Sequence, residues 1–277
     1  MRRIPMMMLA LMLMIAPSAS AITIIRTYLG GLPPSKTVGT GNLIDIFNAA
    51  ADTWETAYQD AFTLHLYFGW GPLDSAGRHT IVEQGGIPNR EITGIIMFDN
   101  SGAISFYLDP TPLQNEEFQR ITIEFQELGG GVINVARVFR GPVGDAAGHC
   151  DLLSVALHEI GHALGMSVGN PDFMKQGPDG FIHITGSLPF PGTAIPLSVN
   201  NSGITTHFDP IRVTYGSVMA GVCGDERRMP SALDILANAQ ISGFQAVNLD
   251  MQPTSVSTSL FPSASDRQNA YSREKGR

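Results

Sequence analysis

The chain has 277 residues, which is enough for one large domain or two small ones. Hydrophobic residues make up 43% of it and charged residues only 15%, so a disordered chain is excluded and a sizeable core is expected. The net charge is −8 and the sequence contains no Lys/Arg-rich run, which argues against nucleic-acid binding. Neither a heptad pattern nor a Gly-X-Y period is present, so coiled coil and collagen are also excluded.

The N-terminus has the pattern of a signal peptide. Arg2 and Arg3 precede an apolar run at residues 4–16, and residues 19–21 (Ala-Ser-Ala) form a small-x-small cleavage pattern. The run is shorter than the roughly 20 apolar residues that a membrane-spanning helix requires. We therefore expect residues 1–21 to be a cleaved signal peptide, Ile22 to begin the mature chain, and the protein to be secreted or extracytoplasmic without a membrane anchor.

The chain contains two cysteines, Cys150 and Cys223. Because exported proteins fold in oxidising compartments, we expect these two residues to form a disulfide. The alternative is two free thiols.

The first third of the chain predicts one helix and one strand. Residues 22–41 are rich in glycine and proline, and we expect an irregular N-terminal segment there. Residues 43–58 place apolar side chains at helical spacing, which predicts a helix. Residues 62–70 alternate and are rich in aromatic side chains, which predicts a strand.

The middle of the chain predicts further strands. Residues 92–98 and 103–108 have strand composition, and the Asp-Asn-Ser-Gly turn at residues 99–102 predicts a hairpin between them. Residues 132–138 predict another strand. Residues 166–206 hold many glycines and prolines without a convincing period, so we expect a long loop with one hairpin.

The C-terminal part predicts a second clear helix. Ser231 is a good N-cap with Asp234 three residues later, and the helix is expected to end near Gly243. Residues 245–277 are polar and rich in serine, which predicts a flexible tail. The expected catalytic domain therefore spans residues 42–244.

One helical segment carries the chemistry. Asp151 is a suitable N-cap, and His158 and His162 lie four residues apart, so their imidazoles project from one helical face. That spacing allows both to bind one tetrahedral zinc ion. Glu159 is rotated by about 100° from His158 and can reach a water molecule at the metal, which suits a general base.

A catalytic zinc site needs a third protein ligand. The segment resembles the metzincin signature His-Glu-x-x-His-x-x-Gly-x-x-His, with matches at His158, Glu159, His162 and Gly165. The third histidine position is occupied by Val168. The resemblance therefore favours the leishmanolysin-like or matrixin-like pattern, in which a long insert precedes the third histidine.

His207 and Met219 complete this resemblance. His207 stands in Thr-His-Phe-Asp, and residues 216–220 (Gly-Ser-Val-Met-Ala) resemble a Met-turn, with Met219 as an apolar floor under the zinc. Gly161 inside the helix indicates close packing beneath the site, because glycine otherwise weakens a helix by about 1 kcal/mol relative to alanine.

Other ligands stay open as alternatives to His207. His183, Asp172 and Glu226 are possible third ligands, of which the last two would give an acidic ligand. His149 is interpreted as a loop residue, and His65 and His79 have no partner at a suitable spacing.

The resemblance implies an α+β fold of the metzincin-like zincin type, with a twisted mixed sheet, an active-site helix, a C-terminal helix and an irregular lower subdomain. It implies a secreted, monomeric zinc endopeptidase acting on protein or peptide substrates, with Zn²⁺ as cofactor and Glu159 as general base. We expect the substrate to lie along an edge strand at residues 103–108. The alternative functions are a non-proteolytic zinc-binding structural or adhesive module and a hydrolase with an acidic third ligand.

Overall fold

A computed structural model describes residues 21–250, apart from residues 202 and 222. Residues 1–20 of the predicted signal peptide and the part of the predicted tail beyond residue 250 lie outside the described residues. Among the residues that are described, no helix combines the length and apolar character needed to cross a membrane.

The architecture is mixed α+β, as the sequence predicts. The helices are α1 (Leu43–Ala57), α2 (Leu152–Ala163), α3 (Pro171–Gln176) and α4 (Ala232–Ser242). The strands are β1 (Thr23–Gly30), β2 (Thr63–Gly71), β3 (Gly77–Gly85), β4 (Arg90–Asp99), β5 (Phe106–Tyr107), β6 (Phe118–Glu127), β7 (Val132–Pro142), β8 (Cys150–Asp151), β9 (Phe181–His183), β10 (Ala194–Asn200), β11 (Gly203–Phe208) and β12 (Glu226–Met229).

A four-stranded sheet with the order β1-β2-β4-β3 carries the main core. β1 and β4 run parallel to β2, whereas β3 is antiparallel to β4 and forms one edge. Helices α1 and α2 pack against each other and against this sheet. Phe47 of α1 stacks on Phe68 of β2 with ring centroids 3.9 Å apart, so the two layers meet through aromatic packing.

Helix α1 and strand β2 confirm the predictions for residues 43–58 and 62–70. Asn42 caps α1, because its side chain accepts a hydrogen bond from the Asp45 N–H at 3.0 Å. Apart from the exposed Ile44, the apolar positions of the helix are buried, and Trp54 also donates from Nε1 to the Leu157 carbonyl of α2 at 2.9 Å. The two helices are thereby joined by a polar contact inside an apolar interface.

The prediction of an irregular segment at residues 22–41 is wrong, because β1 occupies Thr23–Gly30. Ile22 and Ile24 are buried and lie inward, and the strand pairs in parallel with β2 over most of its length. Two buried isoleucines and a paired backbone are sufficient to order an edge strand despite the glycines and prolines that follow it.

The hairpin predicted at residues 99–102 is also wrong. The antiparallel partner of β4 is β3, which the sequence pattern did not indicate, and the strand predicted at 103–108 is reduced to β5, which pairs in parallel with β8. The Asp99 carboxylate accepts the N–H groups of Leu73 and Ser101 at 3.0 and 2.8 Å. This side chain therefore ends β4 in a capped turn, and the chain leaves the sheet.

Strand β7 confirms the strand predicted at residues 132–138 and extends it at the C-terminal side. It is the centre of a second sheet with the order β12-β7-β6, and both of its neighbours are antiparallel to it. Strand β6 was not predicted.

The long loop predicted at residues 166–206 contains α3, β9, β10 and most of β11. Strand β10 is antiparallel to both β9 and β11, so the segment forms a small three-stranded sheet. Phe173, Ile182 and Ile195 are fully buried and join this sheet to the main core. The sheet matters for the site because β11 carries His207.

Helix α4 confirms the predicted second helix, with a complete capping box between Ser231 and Asp234 and a left-handed Gly243 at its end. The prediction of a flexible tail is wrong for residues 245–250. The Asn248 N–H donates to the Ala57 carbonyl at 2.8 Å, and Val247 forms a bridge with Tyr58. Residues 245–250 are thus part of the folded domain.

Candidate metal centre

Helix α2 carries the predicted motif and is buried along its whole length. Its first turn is capped by Asp151, whose carboxylate accepts the Ser154 N–H at 3.0 Å and the Ser154 hydroxyl at 2.7 Å. His158 and His162 follow on one face, as their spacing predicts.

The start of α2 is held by covalent and ionic contacts. Cys150 and Cys223 form the predicted disulfide, with Cα atoms 5.0 Å apart, and join the helix start to the segment before β12. Arg227 of β12 is fully buried and donates to the carboxylates of Asp151 and Asp109. The buried guanidinium bridges two carboxylates, and these charge-assisted hydrogen bonds fix where α2 begins.

Three histidines meet at the base of a cleft. His158 and His162 Nε2 are 3.0 Å apart, and His158 and His207 Nε2 are 3.2 Å apart. The potential ligand atoms of all three residues lie within 4.8 Å of one another. The structure thus brings together the three residues that the sequence analysis proposed, although 44 residues separate His162 from His207.

The outer nitrogens of the two α2 histidines fix their tautomers. His158 Nδ1 lies 2.8 Å from the Val218 carbonyl oxygen, and His162 Nδ1 lies 2.6 Å from the Met166 carbonyl oxygen. A carbonyl can only accept, so each Nδ1 carries the proton and each Nε2 presents a lone pair to the centre. Burial lowers the pKa of His158 to about 3 and that of His162 well below its usual range, which keeps both rings neutral.

This arrangement fits a zinc ion. Two unprotonated nitrogens at 3.0 Å repel each other, and a cation between them removes that repulsion. Zn–N bonds of about 2.0–2.1 Å in a tetrahedron place ligand nitrogens about 3.3 Å apart, close to the separations in the triad. Backbone carbonyls thus orient two of the three imidazoles, and the measured nitrogen separations are close to those of a tetrahedral zinc site.

The segment around Met219 forms the floor. Residues Val218–Ala220 make one 3₁₀ turn, and Met219 is fully buried beneath α2. Gly161 permits this contact, because a Cβ atom at that position would lie under 3.0 Å from the Met219 sulfur. The close packing that Gly161 predicts beneath the site is confirmed.

Asp234 holds the same turn from the opposite side. One carboxylate oxygen accepts the Ser217 hydroxyl at 2.6 Å and the Met219 N–H at 3.1 Å, while the other accepts the Ser231 N–H at 2.8 Å. Asp234, which forms the α4 capping box with Ser231, therefore also fixes the turn whose Val218 carbonyl orients His158.

Glu159 lies beside the triad and is 5% exposed. The backbone of β3 packs against its carboxylate, because a Cβ atom at Gly77 would lie 2.7 Å from its Oε1. In the metal-free chain, burial raises the pKa of Glu159 to about 8, and the His79 N–H and the Arg78 guanidinium only partly oppose this shift. A bound dication would lower this pKa by electrostatic attraction.

The cleft has a volume of about 450 Å³ and is bordered by the edge strand β3, the triad and the turn after α2. The strand expected to hold substrate, residues 103–108, does not border it, because β5 is buried against β8. The edge of β3 that faces away from β4 borders the cleft instead.

The alternative ligands lie away from the triad. His183 on β9 is paired with Asp179, Asp172 accepts the Asn89 N–H, and Glu226 is paired with Arg140 and Arg228. His149 contacts Ser105, and His65 lies on β2. Val168, in the position of the third histidine of the uninterrupted signature, is 58% exposed at the cleft.

His79 is the residue that sequence reasoning missed. It lies on β3, its ring centroid is 6.4 Å from that of His162, and its Nε2 is 2.8 Å from the Glu91 carboxylate. Only the pairing of β3 with β4 brings these residues together, so no spacing along the chain could have indicated them.

Comparison of the chain with protein-family models, with curated proteins and with solved structures found no match in any of the three.

Proposed function

We propose that this chain is an exported, zinc-dependent endopeptidase of metzincin-like architecture. The observation that carries the proposal is the convergence of three histidine Nε2 atoms beside a buried glutamate, in a cleft bordered by an unpaired strand edge. A purely structural zinc site is usually closed by four protein ligands, whereas three ligands and an open side are typical of catalytic sites.

Each residue has a defined task in this proposal. His158, His162 and His207 would hold a zinc ion, which would supply Lewis-acid polarisation of the scissile carbonyl and activation of a water molecule. Glu159 accepts the proton of the attacking water and delivers it to the leaving amine. The edge of β3 binds the peptide in an extended conformation through backbone hydrogen bonds.

The disulfide supports an exported protein, because such bonds persist in oxidising compartments. The signal peptide and the start of the mature chain at Ile22 remain predictions, which N-terminal sequencing of the exported protein tests.

The decisive experiment combines metal analysis with proteolysis. We expect about one zinc per chain and digestion of casein that a chelator abolishes and added zinc restores. Glu159→Gln should retain zinc but lose activity by about 10²–10⁴-fold, because the amide cannot accept the proton. Stoichiometric zinc without cleavage of any peptide would favour the non-proteolytic zinc module instead, and near-normal cleavage by Glu159→Gln would refute the mechanism.

A further inference from the structure

A second polar pair lies behind the triad, and the proposed mechanism gives it no role. The side chains of His79 on β3 and Glu91 on β4 are 4% and 2% exposed, and Nε2 of His79 lies 2.8 Å from the Glu91 carboxylate. A carboxylate can be held at such depth only if a hydrogen bond or an opposite charge compensates the lost hydration. His79 provides that partner.

The local sequence makes room for this pair. Glu91 pairs with Gln84 in the β3–β4 register, so its side chain must run along the sheet to reach His79, which pairs with Ile96. It passes over Gly94, where a Cβ atom would collide with Glu91 Oε1. The absence of a side chain at Gly94 is therefore a condition for the contact.

The backbone at His79 touches the proposed general base. A Cβ atom at Gly77 would lie 2.7 Å from Glu159 Oε1, so the backbone of β3 packs directly against that carboxylate, and the His79 N–H faces it. The same strand is thus fastened to β4 on its inner side by His79 and Glu91 and lies against Glu159 on the cleft side.

We infer that the His79–Glu91 pair is a positioning device, which fastens the edge strand β3 at the depth where its backbone at residues 77–79 orients the carboxylate of Glu159. This inference rests on the proposed function of Glu159. The pair does not contact the His207 side of the triad, and His162 is oriented independently by the Met166 carbonyl. Loss of the pair should therefore reduce turnover and leave zinc content unchanged.

The test uses two substitutions that disrupt the same contact in different ways. Glu91→Leu removes the carboxylate, and Gly94→Ala displaces it while both polar residues remain. In the zinc-loaded full chain, each should lower kcat by about 10- to 100-fold, the effect expected of a displacement near 1 Å at a reacting group, with KM within about threefold of wild type. Glu91→Gln keeps an acceptor for His79, so kcat of this variant should stay near the wild-type value.

Ile96→Val is the matched control. Ile96 is fully buried in β4 and pairs with His79, so its truncation loosens the same region without touching a polar group. It should lower the melting temperature while kcat stays near wild type. A fall in kcat for Ile96→Val equal to that for Glu91→Leu and Gly94→Ala would reduce the pair to a purely structural role and overturn the inference.

Amide hydrogen exchange gives a readout that does not depend on activity. The His79 N–H should exchange at least 10-fold faster in Glu91→Leu, in Gly94→Ala and in Glu159→Ala, while amides of the central strand β2 keep their protection. Unchanged exchange at His79 in all three variants would contradict the inference. If the wild-type protein cleaves no peptide, the proposed function fails, and this exchange experiment still decides whether the pair positions β3 against Glu159.

Discussion

For the substitution Gly161→Ala, the structure and helix propensity predict changes of opposite sign in the free energy of unfolding. Alanine in the middle of a helix is favoured over glycine by about 1 kcal/mol. In α2, however, the new Cβ would lie under 3.0 Å from the Met219 sulfur and 3.4 Å from Trp54 Cζ2. Carbon and neighbouring heavy atoms prefer separations of about 3.5–4.0 Å, so the sulfur must retreat by more than about 0.5 Å.

The Met219 side chain has no free space into which it could move, because Met219 and Trp54 are both fully buried. Overpacking of this kind costs about 1–3 kcal/mol. After the gain in propensity, we expect Gly161→Ala to lower the free energy of unfolding by up to about 2 kcal/mol. The displaced turn also carries the Val218 carbonyl that orients His158, so zinc affinity should fall as well.

Urea unfolding of the single and double variants measures this directly. Met219→Ala alone should lower the free energy of unfolding by about 2–5 kcal/mol, since it leaves a cavity. In that background, Gly161→Ala should raise stability, because the cavity accepts the added methyl group and the helix gains its propensity. If Gly161→Ala stabilises the wild-type protein by the full 1 kcal/mol or so of an open helix, the contact with Met219 is not as tight as described.

Three further predictions concern the site. His207→Ala should lose zinc and activity, whereas His183→Ala, which removes an exposed histidine of the neighbouring hairpin, should retain both; the opposite result would show that the insert delivers another ligand. Asp234→Asn should lower the free energy of unfolding by about 2–4 kcal/mol, since about two buried donors lose their acceptor, and unchanged urea unfolding would contradict this. The two histidines of α2 have depressed pKa values in the metal-free chain, so stability is present above about pH 6.5 and is lost as pH falls, by about 2 kcal/mol each at pH 5. Chelator-treated Glu159→Gln is the suitable protein for this measurement, because the raised pKa of Glu159 gives a change of opposite sign over part of the same window, and a flat profile would contradict the shifts.

The three longer helices, α1, α2 and α4, could be predicted because their signals are local. Asp151 caps α2 and Ser231 forms a capping box with Asp234, so the residues that stop each helix from fraying are within four positions of its start. The disulfide was predictable for a different reason, since two cysteines in a chain allow only one intramolecular pairing.

The edge strands were missed because each has only one partner and its apolar pattern is short. Strand β3 has the sequence Gly-Arg-His-Thr-Ile-Val-Glu-Gln-Gly. Over most of its length its residues alternate between half-buried and exposed, and none of them is classed as buried. Pairing with β4, rather than its own side chains, determines its structure. Since β3 borders the cleft, the same limitation hid the partner of Glu159 and the His79–Glu91 pair.

His207 was predictable only through its position before Met219, and the structure gives the physical basis of that relation. The turn at Met219 packs beneath α2 and is bonded to Asp234 on its other side, whereas His207 lies on a hairpin that packs beside the turn. Two of the three proposed ligands therefore belong to the buried helix α2, and the third belongs to a separate small sheet. Binding of one ion by all three would join that sheet to α2 across 44 residues of chain, so metal binding and the stability of the lower part of the cleft should be linked.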